Sequence, residues 1–174
     1  MTTKVLLGYA SADGSTAEVA ERLGKQLRND GLQVQVVPVT EQPDPSAFDV
    51  VVLGSAIHDG EFLPEFGDFV ERHRSTLCQR PVWLFSLGMG PTLRGPIGAI
   101  FRNMVPPAIA AVRDRLGAVE YHPFGGKFDR PPERKLRMVI WLMGTRPGDH
   151  RDWAEIDDWA TSIARSAAVE SGTG

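Results

Sequence analysis

The chain has 174 residues, one cysteine and a formal net charge of −3. This length suits one domain with a sizeable core. The single cysteine excludes an internal disulfide and is typical of a reducing compartment. The mild charge argues against nucleic acid as a partner. With neither an apolar run of about 18 residues nor a signal-peptide pattern, the sequence predicts a cytoplasmic protein.

Short apolar runs alternate with amphipathic stretches along the chain. The apolar runs predict five strands, at 5–9, 34–39, 48–53, 81–86 and 118–124. Helical periodicity predicts helices at 15–29, 62–77, 108–116 and 151–168. Strands that alternate with helices predict an α/β fold with a parallel sheet and right-handed crossovers. We interpret residues 1–169 as a single domain and 170–174 as a disordered tail.

The first predicted strand runs into a loop of small and polar residues that opens a helix, Ser11-Ala12-Asp13-Gly14-Ser15-Thr16. A helix N-terminus presents free N–H groups and a partial positive charge, so this loop predicts a phosphate site. The alternative is a plain turn in which Ser15 caps the helix and Glu18 completes a capping box. The loop has neither the Walker pattern nor the glycine fingerprint of dinucleotide-binding proteins.

Two further glycine-containing loops follow the third and fourth predicted strands, at 54–60 and 86–91. The carboxyl ends of parallel strands meet at one edge of the sheet, where ligands bind. We therefore expect both loops to join the first in one site, the alternative being ordinary surface turns. The predicted site residues in these two loops are Ser55, Ala56, Ile57, His58, Ser86, Leu87, Gly88 and Met89. No His/Cys/Asp/Glu spacing predicts a metal site.

In their order and spacing these motifs resemble the flavodoxin-like superfamily over nearly the whole chain. The nearest pattern is that of the flavodoxin-type, menaquinone-dependent protoporphyrinogen oxidase group. That group has a first loop Asp-Gly-x-Thr, a second loop Gly-x-x-Ile-x-x-Gly, and a basic, apolar insert before a final helix that begins near Asp-Trp. The matching positions here are Asp13, Gly14 and Thr16, then Gly54, Ile57 and Gly60, then 127–144 and Asp152-Trp153.

The resemblance implies a flavodoxin-like three-layer sandwich with five parallel strands in the order 2-1-3-4-5, and noncovalently bound FMN. It implies that the FMN phosphate rests on Ser11 and residues 14–16, and that the ring lies between the second and third loops, where His58 is the candidate catalytic side chain. The implied function is oxidation of a porphyrinogen-like or other small substrate, with a quinone as acceptor.

The insert carries five basic residues followed by a bulky apolar run. One interpretation is that Arg130, Arg134 and Arg137 hold the carboxylates of the substrate. Another is peripheral attachment to an anionic, quinone-containing membrane. The third is a helix that packs its apolar residues on the core and leaves its basic residues in water; the packing residues would be Leu136, Val139, Ile140 and Met143.

Three other functions are compatible with a flavodoxin-like fold. An electron-transfer flavodoxin would exchange electrons with protein partners, commonly through a strongly acidic face, which the near balance of charge disfavours. A signalling receiver domain needs an acidic pair after the first strand and an Asp at the end of the third, where Gly54-Ser55 stands instead. A domain without cofactor is the remaining alternative. The sequence leaves a homodimer open.

Overall fold

The computed structural model describes residues 2–94, 99, 104–128, 134–142 and 144–171. The strands are β1 (Lys4–Ala10), β2 (Gln33–Pro38), β3 (Val50–His58), β4 (Glu61–Phe62), β5 (Val82–Gly88), β6 (Glu120–Gly125), β7 (Lys127–Phe128) and β8 (Gly148–Asp149). The helices are α1 (Ser15–Asn29), α2 (Pro64–Arg72), α3 (Arg74–Leu77), α4 (Pro107–Leu116), α5 (Arg134–Leu142) and α6 (Trp153–Ser171).

The long strands form one parallel sheet in the order β2-β1-β3-β5-β6. This is the predicted order 2-1-3-4-5 once the two-residue strand β4 is set aside, so the predicted fold is confirmed. Alternate strand residues point to opposite faces. Leu7 and Val52 pack with α1 and α6 on one face, whereas Leu6 and Leu53 pack with α2 on the other. These two buried faces explain why the strands read as continuous apolar runs.

Strand β3 is five residues longer at its carboxyl end than the sequence predicts. Gly54, Ser55 and Ala56 continue the ladder between β1 and β5, because backbone pairing does not require large apolar side chains. The strand ends in a two-residue turn, Asp59-Gly60, in which both residues have positive φ (51° and 81°). This turn lets β4 pair back on β3, as expected for an Asp-Gly hairpin. Five of the seven residues of the predicted second loop, 54–58, are therefore strand.

The predicted helix at 62–77 is interrupted in the structure. Phe62 lies in β4, Pro64 begins α2, and His73, with φ −103° and ψ 13°, separates α2 from α3. The final helix begins at Trp153, where the Asp152 carboxylate accepts the N–H groups of the first turn. It continues to Ser171, so residues 170–171 of the predicted tail are helical, and 172–174 lie outside the described residues.

Gly54, the first glycine of the second-loop motif, lies against the aromatic core. A Cβ at this position would overlap the ring of Phe85 on the neighbouring strand. The Phe85 ring in turn packs against Phe124 and Trp159, with centroids 6.1 and 6.0 Å away. Gly54 therefore makes room for the aromatic cluster between the sheet and α6.

Candidate functional site

The predicted loops lie around one cleft of about 400 Å³ at the carboxyl end of the sheet. Its walls come from the loop after β1, the ends of β3 and β5, and the connection from β6 to β7. Most of the residues predicted for the site line it: Ala12, Asp13, Ser15, Ala56, Ile57, His58, Leu87, Gly88 and Met89. The structure thus brings together three segments that are separated in sequence by 40 and 28 residues.

Among the described residues no side chain caps the N-terminus of α1, so the alternative of a Ser15–Glu18 capping box is wrong. Gly14 occupies the N-cap position in a left-handed conformation, with φ 84°. Its N–H donates to the Ser11 hydroxyl at 3.0 Å, and the Glu18 carboxylate is bound by Arg151 instead. The first N–H groups of a helix have no partner within the helix, so this end of α1 is available to an anion.

Thr16 provides a second, independent sign of a ligand at this end of α1. Its side chain is fully buried, and its hydroxyl has no hydrogen-bond partner among the described residues. A buried hydroxyl without a partner costs about 1–3 kcal/mol. An acceptor oxygen supplied by a ligand would remove this cost. Together with the unpaired N–H groups and the positive end of the helix, the Thr16 hydroxyl suits a phosphate group.

Ser55 and Ser86 were predicted to bind the cofactor, but neither lines the cleft. The Ser55 hydroxyl donates to the Ala56 carbonyl at 2.8 Å and accepts the N–H of Leu63 at 3.1 Å, so it holds the hairpin in place. The Ser86 hydroxyl shares a hydrogen bond of 2.7 Å with Tyr121. Both serine hydroxyls are therefore engaged within the protein.

His58 and Lys127 bring titratable side chains to the cleft. His58 is at the end of β3 with 71% of its side chain exposed, and its Nδ1 lies 3.8 Å from the Asp59 carboxylate. Lys127 begins β7 and was not predicted as a site residue, nor were the neighbouring Gly126 and Leu63. The rule that predicted the other loops, applied to the end of the fifth long strand, would have found Lys127.

Arg151 connects the strand β8 to the first turn of α1. Only 4% of its side chain is exposed, and its guanidinium contacts Asp149 at 2.6 Å and Glu18 at 2.7 Å. It also lies over the Trp153 ring, 4.7 Å from the centroid. The hydrogen bonds from Arg151 lower the pKa of Asp149 to about 2, and those from Asp149 raise the pKa of Arg151. This network keeps Glu18 on the flank of α1.

The predicted substrate arginines are described only in part. Arg134 is exposed at the start of α5, the side chain of Arg137 is not described, and Arg130 lies outside the described residues. The core-packing alternative depends on Leu136, Val139 and Ile140, whose side chains are not described, and on Met143, which lies outside the described residues. The apolar side chains of α5 that are described are exposed: Met138 by 61%, Trp141 by 68% and Leu142 by 63%.

Comparison of the sequence with known proteins identifies a family and curated relatives. A family model described as "Flavodoxin domain" matches residues 6–123. The chain is 32% identical, over 178 aligned positions, to "Protoporphyrinogen IX dehydrogenase [quinone]" of Escherichia coli (strain K12), covering 92% of this chain and 94% of that protein. The predicted resemblance is confirmed by both matches.

Solved structures share the fold at low sequence identity. A flavodoxin from the domain Archaea gives a TM-score of 0.60 at 17% identity, covering 95% of this chain and 99% of that one. Oxidised flavodoxin 1 from Bacillus cereus gives 0.61 at 17% identity, covering 94% and 98%. Rubredoxin oxygen:oxidoreductase from Desulfovibrio gigas gives 0.63 at 18% identity, covering 97% of this chain and 37% of that protein.

Proposed function

The chain belongs to the flavodoxin family, and from this premise we propose that it oxidises a porphyrinogen-like small substrate with FMN as cofactor and a quinone as electron acceptor. The family consists of flavoproteins, so the predicted cofactor and the broad assignment as a flavin oxidoreductase are confirmed with it. The substrate and the acceptor are the proposed part. Both are supported by the Escherichia coli relative, whose name states the substrate and the quinone and which matches over nearly its whole length.

The buried hydroxyl of Thr16 at the uncapped end of α1 is the observation that carries the proposal. The phosphate of FMN would be held by the N–H groups of residues 15–17 and by the hydroxyls of Ser11 and Thr16. The ring would lie between the end of β3, at Ile57 and His58, and the end of β5. When bound, FMN supplies the ability to take up an electron pair and pass it on.

The side chains of this chain would position the reactants. Lys127 at the cleft and Arg134 on α5 provide cations for the carboxylates of a substrate. His58, largely exposed at the edge of the cleft, would exchange a proton between substrate and solvent. In each turnover the substrate would lose two electrons and two protons, and the quinone would gain both and become a quinol.

Reconstitution and turnover under nitrogen test this proposal in two steps. We expect the purified protein to bind FMN with quenching of flavin fluorescence, and to bind riboflavin, which lacks the phosphate, much more weakly. We then expect it to oxidise protoporphyrinogen anaerobically when a quinone is present. No binding at micromolar FMN would contradict the cofactor assignment. FMN binding with electron exchange only to protein partners would favour a carrier flavodoxin.

We also infer peripheral contact of this protein with a membrane, where lipid quinones reside. No helix in the described part of the chain is long and apolar enough to cross a bilayer. The exposed Trp141, Leu142 and Met138 lie on α5 together with the exposed bases Arg134 and Lys135. Exposed aromatic and apolar side chains beside basic ones are typical of helices that lie on anionic membranes.

A further inference from the structure

A second cavity adjoins the cleft and is not part of the proposed phosphate site. Its volume is about 330 Å³, within the usual range of small-molecule sites of about 300–1,000 Å³. It lies beside the ends of β5 and β6, the turn Gly90–Thr92 and the start of α4. Ile57, Gly88 and Met89 line both the cavity and the cleft. A single layer of residues would therefore separate a ligand in the cavity from the ring of FMN in the cleft.

The wall of this cavity is uncharged. Of the 13 described residues that line it, none is acidic or basic, and all except Ser86 and Tyr121 are apolar, proline or glycine. A carboxylate buried there without a partner would be costly. The cavity is therefore unsuited to a polycarboxylate such as a porphyrinogen, and it favours a neutral ring of modest size.

One hydrogen-bond donor is available in this wall. The hydroxyls of Ser86 and Tyr121 lie 2.7 Å apart, and either one can be the donor. Each hydroxyl carries one proton, and the bond between them uses one of the two, so the other is left to donate. Burial raises the pKa of Tyr121 against the opposing effects of Ser86 and Arg113. The phenol is consequently neutral and protonated at neutral pH.

We propose that this cavity binds the ring of an uncharged quinone, with a ring carbonyl accepting the free proton of the Ser86–Tyr121 pair. The identity of the ligand rests on the proposed function, in which a quinone is the acceptor, whereas the cavity, its neutral wall and its donor rest on geometry alone. Because Ile57 and Met89 line both the cavity and the cleft, a quinone in the cavity would lie beside FMN in the cleft.

Methionine methyl groups provide a direct test of where a quinone binds. Of the five methionines of the chain, Met89 and Met104 line the cavity, and Met138 is exposed on α5. We would load protein labelled with ¹³C-methyl methionine with oxidised FMN and titrate it with 2,3-dimethyl-1,4-naphthoquinone, whose substituted ring does not add thiols. We expect saturable shifts of Met89 and Met104 and none of Met138. An unshifted Met104 would overturn the proposal.

Variants of the donor pair test the recognition of the carbonyl. Ser86→Ala or Tyr121→Phe alone leaves one hydroxyl to donate, so each should weaken quinone binding only slightly. The double variant removes both and should raise the Kd for the quinone roughly tenfold, the effect of one lost hydrogen bond. Unchanged FMN affinity would show that the variant is folded. A double variant that binds the quinone as tightly as the unmodified protein would contradict the proposed contact.

The outcomes separate this inference from the proposed function. If FMN binds and Met104 shifts but no porphyrinogen is oxidised, the quinone site stands and the proposed substrate fails. If the protein does not bind FMN, the same titration on the cofactor-free protein still tests the cavity through Met104, which lines the cavity and not the cleft. Met104→Trp, at a side chain that is 54% exposed, should narrow the cavity and weaken the Met89 response.

Discussion

The guanidinium of Arg151 donates to the carboxylate of Glu18 at 2.7 Å, and Glu18 is the residue that would complete a capping box in the alternative interpretation of the first loop. Gly14 rather than Ser15 occupies the N-cap position, and its N–H donates to the Ser11 hydroxyl. In the described part of the chain, helix α1 therefore begins without a side-chain cap. A contact between residues 133 positions apart thus engages the carboxylate that would otherwise complete the cap.

Replacement of Arg151 should weaken FMN binding through Glu18. In Arg151→Gln the carboxylate is released and can approach the N-terminus of α1, where it competes with the phosphate. We expect the Kd for FMN to rise about fivefold to tenfold by calorimetry. Arg22→Gln is the matched control, because Arg22 pairs with Asp157 from the same helix, seven residues from Ser15. Equal losses in the two variants would contradict this role of Arg151.

Thr16→Val should have opposite effects on stability and on cofactor affinity. Valine has the shape of threonine without the unpartnered hydroxyl, so the cofactor-free protein should gain about 1 kcal/mol in free energy of unfolding. The same change removes a donor to the phosphate and should weaken FMN binding about tenfold or more. Urea denaturation measures the stability, and fluorescence titration measures the affinity for FMN. Riboflavin is the control ligand, and its affinity should not change in the variant. A loss of stability together with unchanged FMN affinity would show that Thr16 does not bind the phosphate.

The ion pair of Asp149 predicts a defined dependence of stability on pH. Arg151 lowers the pKa of Asp149 from 3.8 to about 2, so the ionised carboxylate stabilises the folded state. This contribution is complete above about pH 4 and is lost as the pH falls toward 2. Because the side chain is 41% exposed, we expect Asp149→Asn to cost only about 1 kcal/mol at pH 7, and about half of that at pH 3. Urea denaturation at both pH values measures the free energy of unfolding. The control is Asp68→Asn, at an exposed position of α2, which should leave the stability unchanged at either pH.

The exposed apolar side chains of α5 predict binding to anionic vesicles. Trp141→Ser combined with Leu142→Ser should weaken binding to vesicles of phosphatidylglycerol and phosphatidylcholine about tenfold or more, because apolar area no longer enters the lipid. Val169→Ser is the control, since Val169 is an equally exposed apolar residue, at 71%, on α6. Co-sedimentation measures the affinity. If the unmodified protein stays in the supernatant at low salt, α5 does not contact the membrane.

Replacement by alanine should lower the stability at Gly54 and raise it at Gly67. At Gly54 a Cβ would overlap the Phe85 ring, and overpacking of this kind costs about 1–3 kcal/mol. At Gly67, inside α2, a Cβ would meet nothing within 4 Å, so alanine should stabilise the helix by about 0.5–1 kcal/mol. Thermal unfolding compares the two variants. Tolerance of alanine at Gly54 would show that the aromatic cluster adapts.

Local patterns in the sequence were sufficient for the architecture. Continuous apolar runs predict strands buried on both faces, and the alternation with amphipathic helices predicts the parallel sheet. The rule that ligands bind at the carboxyl ends of such strands then predicts the cleft. The same local reasoning ended β3 too early, because the ladder through Gly54 and Ser55 is held by backbone pairing with its neighbours. The Asp59-Gly60 turn signal was present in the sequence and marks the true end of the strand.

The sequence by itself determined the fold, the family and the loops that meet at the sheet edge, since these follow from periodicity and from short motifs. Tertiary structure alone decided what each polar group does there. It assigned Glu18 to Arg151, left the Thr16 hydroxyl without a partner among the described residues, and paired Ser86 with Tyr121 beside an uncharged cavity. The physical reason is that a hydrogen bond depends on the position of both partners to within fractions of an ångström. Such positions are set by the packing of distant segments, which no local pattern records.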